Sequence, residues 1–158
     1  MKFLRRLPSF NGYLTSGVRH RVIQVIVFLL IFLFVYAAFM KLLAIDQFRV
    51  QIGQSPLLTR WADTLSWAVP CAELVISLHL CFRSTRTLGL FASFGLMVMF
   101  TTYIIVVMNF SPYVPCSCGG VLEDMTWGQH LVFNVAFIVL ALVGILLSPI
   151  QHEVSLLE

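Results

Sequence analysis

Four apolar stretches, at about Val22 to Leu43, Leu65 to Phe82, Leu88 to Phe110 and Leu131 to Ser148, occupy more than half of the chain. Each is close to the roughly 20 helical residues that cross a hydrocarbon core of about 30 Å. Backbone polar groups inside a bilayer find no water, so such stretches satisfy themselves as helices and turn their few polar side chains toward one another. The sequence therefore predicts an all-α fold, an integral membrane four-helix bundle. Composition agrees, since 59% of the 158 residues are hydrophobic and only 11% are charged. Residues 22–148 form one membrane domain; the basic arm at 1–21 and the tail at 149–158 are too short for a separate soluble one.

The first stretch follows a basic lead, as the core of a signal peptide does. It is too long for that, however, and has no small-residue cleavage site before Ile45. Orientation follows from Lys and Arg near the span ends. Lys2, Arg5, Arg6, Arg19 and Arg21 precede the first span, and Arg83 and Arg86 fill the turn between the second and third. The other side holds Lys41, Arg49 and Arg60, with no basic residue between Phe110 and His130. Both termini are thus expected in the cytoplasm of a multi-pass inner (cytoplasmic) membrane protein. The loop after the third span then faces a periplasm or its equivalent. The net charge of +3 is explained by this topology and does not point to nucleic acid.

In the first outer loop Ile45, Phe48 and Ile52 recur at helical spacing, which predicts a short surface helix stopped at Gly53. Ser55 and Pro56 suit the cap and first turn of a helix running straight into span two. Trp61, Trp67 and Trp127 are expected at the level of the lipid head groups.

Pro70 stands inside span two, where it removes a backbone donor and crowds the carbonyl of Ser66. Glu73 follows within one turn, at a depth where an unpaired carboxylate is costly. Lys41, near the outer end of span one, is its expected partner. Three readings are open for Glu73: an ion tie between helices, a proton-handling or quinone-facing carboxylate, or a protonated carboxyl bonded to Tyr36, Tyr103 or Asn109.

The four cysteines are not equivalent. Cys116 and Cys118 stand in Pro115-Cys116-Ser117-Cys118-Gly119-Gly120, where a bridge over one residue needs a sharp bend that the two glycines permit. So small a ring removes little entropy from the unfolded chain, which argues against a purely structural clip. Thiol–disulfide exchange is the chemistry such a pair suits on an oxidising face. A Cu(I) site helped by Met108 or Met125 is a competitor, and zinc with His130, Asp124 or Glu123 fits less well. Cys71 lies in the outer half of span two, and a third thiol there could pass electrons through a mixed disulfide. Cys81, at the opposite end of that span, reads as a small buried hydrophobe, and His79 as a bonded core residue. No phosphate-cradling loop, zinc-spaced histidine pair or Ser-His-Asp order is present.

The chain resembles the methylamine-utilisation protein E (MauE) branch of the DoxX-like four-helix membrane proteins. The likeness rests on Tyr36-Ala37-Ala38-Phe39-Met40-Lys41-Leu42, Phe48, Pro70 with Glu73, and the Pro115 to Gly120 motif, and spans Val22 to Leu147. Ser117 and Gly119 stand where the family motif is associated with Gly and a bulkier residue. The resemblance implies a redox-associated protein that assists production of the disulfide-rich small subunit of methylamine dehydrogenase, beside a periplasmic thioredoxin-like partner. Cys116 and Cys118 would then be the catalytic pair of a thiol–disulfide oxidoreductase. By fold analogy, a quinone cofactor would dock near Pro70, Glu73 and Lys41. A non-catalytic membrane subunit or assembly factor is the alternative from a different class.

Overall fold

A computed structural model of the protein describes residues 16–54, 58–110 and 127–148, and every regular element among them is helical. Helix α1 runs Ser16–Leu43, α2 Ile45–Gly53, α3 Ala62–Cys81, α4 Arg86–Phe110 and α5 Trp127–Leu147. Four of these contain runs long and apolar enough to cross a membrane, Gly17–Leu43, Thr59–Cys81, Arg86–Val106 and Gly128–Leu147. The expected all-α, four-span bundle is therefore what the chain forms.

The helices alternate in direction and close a ring in which α1 packs on α3, α3 on α4, α4 on α5 and α5 on α1. Each turns one stripe inward. On α1 it is Ile23, Ile26, Leu30, Phe34 and Ala38; on α3 it is Ser66, Pro70, Glu73, Ser77 and Leu80. On α4 Leu90, Ser93, Met97, Thr101 and Ile104 are buried. These spacings of three and four residues make a helical face. The outside is apolar instead, with Phe28, Phe32, Phe39, Val75, Phe91 and Val132 exposed. Polar groups inside and large apolar groups outside suit lipid rather than water.

Hydroxyls inside the bundle satisfy themselves on their own helices. Ser77 Oγ donates to the Glu73 carbonyl at 2.9 Å, Ser93 Oγ to Gly89 at 2.7 Å and Thr101 Oγ1 to Met97 at 2.8 Å. The α3–α4 turn is closed by side chains, since Thr85 Oγ1 donates to the His79 carbonyl at 3.0 Å and Arg86 Nε reaches that of Leu80 at 3.5 Å. Both serve carbonyls that the end of a helix leaves unbonded.

Several boundaries differ from the sequence reading. Helix α1 begins at Ser16, ahead of Val22, so Arg19 and Arg21 are helical. Span two is entered through a 3-10 turn, Thr59–Trp61, and α3 runs unbroken through Pro70; Ser55 and Pro56 lie outside the described residues. Helix α5 starts one turn before Leu131, which takes His130 out of the loop and onto the bundle. The expected short helix is present as α2, ending at Gly53 and burying Phe48 and Ile52. Cys81 is exposed, not buried: it stands one position from Leu80, which the core takes, and so is turned outward.

Candidate functional site

One end of the bundle, capped by α2, holds a cavity of about 280 Å³. Its depth is set by how the four spans converge. Helix α1 supplies Phe34, Ala37 and Lys41, spaced along one face, and α3 supplies Leu65, Val69 and Glu73 at every fourth residue. Helix α4 contributes Met97, Phe100, Tyr103 and Ile104, α5 contributes His130, Phe133 and Asn134, and α2 covers them with Phe48, Gln51 and Ile52. The walls are thus mostly aromatic and aliphatic, with few polar groups, as in sites for small apolar ligands.

The polar groups are concentrated at Glu73. Its Oε1 accepts from Lys41 Nζ at 2.6 Å, and the two side chains are 1% and 13% exposed. The carboxylate is shut off from bulk water and the ammonium largely so, and each is tolerated because of the other. The ammonium also lies 5.9 Å from the ring centre of Phe48 and 5.6 Å from that of Phe100, where aromatic faces attract cations. The reading of Lys41 as partner of Glu73 is therefore what the geometry shows. Asn109, one of the alternative partners, instead donates Nδ2 to the Ile105 carbonyl at 2.7 Å and is exposed. Tyr103 lines the cavity, whereas Tyr36 stacks on Phe32 with ring centres 6.3 Å apart.

Three buried polar atoms at this cavity have no hydrogen-bond partner among the described residues: Glu73 Oε2, His130 Nδ1 and Asn134 Nδ2. Leaving a buried donor or acceptor unmade costs about 1–3 kcal/mol each. That three gather around one space marks it as more than a packing defect. Sequence reading placed His130 among loop residues and did not single out Asn134. The available signal was their spacing of four on an otherwise apolar helix, which puts both on one face.

Cys116 and Cys118 lie outside the described residues. The segment that carries them leaves α4 at Phe110 and returns at Trp127, the ends of α4 and α5 that lead out from the cavity. Cys71 is next to Pro70 in sequence, but its side chain is exposed on α3 while Pro70 and Glu73 are buried. Trp61 and Trp67 are both exposed at the cavity end of α3. Among the described residues, no cluster of three or more His, Cys, Asp or Glu side chains is placed to hold a metal ion.

No curated protein and no solved structure matches the chain. The family described as methylamine utilisation protein MauE matches residues 19–147, which takes in the four spans but for the first two residues of span one, together with α2 and the Cys116–Cys118 segment. On a match of that extent, the chain belongs to the MauE family.

Proposed function

We propose that the protein exchanges thiol and disulfide equivalents, through Cys116 and Cys118, with a periplasmic thioredoxin-like partner during maturation of secreted proteins. The observation that carries this reading is the tethering of the Cys-Ser-Cys segment, by Phe110 and Trp127, to the bundle end that holds the buried Lys41–Glu73 pair and the cavity. Membership of the MauE family supports a maturation role, with methylamine utilisation as the namesake setting. The charge pattern supports a periplasmic loop, because Arg19, Arg21, Arg83 and Arg86 belong to the opposite end, which the positive-inside rule assigns to the cytoplasm.

In the exchange, a partner thiolate attacks one sulfur of a Cys116–Cys118 bridge and forms a mixed disulfide. The partner's second thiolate displaces the chain's sulfur. The partner leaves oxidised, Cys116 and Cys118 become thiols, and two electrons with two protons have passed. Cys71 has no required step in this cycle.

Thiol trapping in whole cells tests the reading. Acid quenching followed by a mass-tagged maleimide should resolve oxidised and reduced Cys116–Cys118, with the ratio shifting when the thioredoxin-like protein is removed. A Cys118→Ser variant should accumulate a mixed disulfide through Cys116, or the converse variant one through Cys118. A single redox state under all growth conditions, with no mixed disulfide, would sink the idea.

A further inference from the structure

The cavity at the α2 end has a definite chemical demand. Asn134 Nδ2 has N–H bonds to give, Glu73 Oε2 has a lone pair to receive one, and His130 Nδ1 can do either according to its tautomer. Asn134 is 4% exposed and Glu73 1%, so water outside the bundle does not meet this demand. An organic occupant that met this demand would carry both an acceptor oxygen and, in at least one state, a hydroxyl or similar donor.

Charge and size narrow the class. The Lys41 ammonium is already spent on Glu73 at 2.6 Å, so the pair is neutral as a unit and offers no free cation. A fatty-acid carboxylate or lipid phosphate would instead meet the unpaired oxygen of Glu73. About 280 Å³ holds one substituted ring and not a whole lipid. The lining includes Phe34, Phe100 and Phe133, aromatic side chains of the kind that pack well against a ring. Met99 both lines the cavity and is exposed on α4, so the space reaches the apolar outer surface and a hydrocarbon tail can leave there.

We infer that this cavity binds the head group of a lipid-soluble quinone, with His130 and Asn134 donating to its carbonyl oxygens and Glu73 Oε2 accepting from a hydroxyl of the reduced form. The inference deepens the proposed exchange reading, on which its redox meaning rests, by naming the acceptor class. Closing a Cys116–Cys118 bridge from two thiols releases two electrons and two protons, which is what converts a quinone into a quinol. His130 and Asn134 are binding residues here, and Lys41 is a positioning residue that holds the Glu73 carboxylate with Oε2 toward the cavity.

The test is binding of decylubiquinone to the full chain in lipid nanodiscs, with decanol as the tail-only probe. The expected result is saturable binding of one quinone per chain, little displaced by decanol, and weakened about tenfold or more in Asn134→Leu and in His130→Phe. Ser93→Ala, which removes a buried hydroxyl bonded within α4 and away from the cavity, should bind as the unaltered chain does. Decanol displacing the quinone at equal concentration would overturn the inference, and this arm needs no variant to fold. Unchanged affinity in both correctly folded variants would also overturn it. The Cys116→Ser, Cys118→Ser double variant should still bind quinone. Retained binding with no thiol cycling in cells refutes the exchange reading alone, and thiol cycling without quinone binding refutes the site alone.

Discussion

Lys41 Nζ and Glu73 Oε1 meet at 2.6 Å and join α1 to α3 beneath the α2 cap. The pair is sheltered enough that removing one partner strands the other, a loss of up to about 3–5 kcal/mol for buried pairs. The two losses should not be equal. At 13% exposure the lysine stem can turn its ammonium outward, whereas the carboxyl at 1% cannot reach water. Lys41→Met should therefore destabilise more than Glu73→Gln, and Lys41→Met combined with Glu73→Met should recover most of the loss. Reversible unfolding in mixed micelles measures all three; additive losses in the double variant would mean the two side chains are not coupled.

Arg49 and Asp63 form the second ion pair among the described residues, Nε to Oδ1 at 3.2 Å between α2 and α3, with side chains 43% and 85% exposed. Distance alone makes the two pairs look alike. Solvent makes them different, because an exposed pair gains little Coulomb energy and is screened by salt. Asp63→Asn should change stability by no more than about 1 kcal/mol. The same unfolding assay at low and high salt checks this, and a loss comparable to that of Lys41→Met would contradict it.

At Gly89 α4 packs tightly on α3, since a Cβ there would stand 2.9 Å from both the backbone N and Cδ2 of Leu80. A side-chain tip can move aside, but the backbone atom moves only if the helices part. Gly89→Val should cost about 1–3 kcal/mol through overpacking. Gly95, on the same helix, has nothing within 4 Å of the equivalent position. Gly95→Ala should gain about 0.5–1 kcal/mol from helix propensity. Opposite signs for two glycines six residues apart on one helix are the expected outcome of parallel melting curves.

The legible part of this protein is what hydrophobic length and charge decide. Four spans, the short α2 stopped at Gly53, and the meeting of Lys41 with Glu73 all follow from patterns along the chain, because a buried charge in an apolar span demands an opposite one within reach. What escaped depends on helix rotation. An all-round apolar helix carries little signal about which side faces inward, so Cys81 read as buried although the stripe through Ser77 and Leu80 turns it outward. Asn109 likewise read as near Glu73, but it bonds its own helix from an exposed position. His130 reads as a loop residue because α5 begins a turn earlier than its apolar run, whereas Asn134 lies inside that run, where one amide among apolar residues does not say which way it faces.

Rotation also makes the cysteines a test of topology. Cys71 and Cys81 are both exposed on α3, Cys81 at the end that carries Arg83 and Arg86, while Cys116 belongs to the segment leaving the cavity end. Cys71 stands nine residues along α3 from Ala62, a rise of about 13 Å, which puts it within the span rather than at its margin. A reagent confined to water does not enter the hydrocarbon core in which such a thiol lies. In single-cysteine variants, a membrane-impermeant maleimide applied to intact spheroplasts should modify the chain bearing Cys116 and leave the one bearing Cys71 unmodified before and after lysis. An Arg83→Cys substitution in a cysteine-free background should react only after lysis. The reverse order for Cys116 and Arg83→Cys would put the Cys-Ser-Cys segment in a reducing cytoplasm, where a resting bridge does not persist and a periplasmic partner cannot reach it.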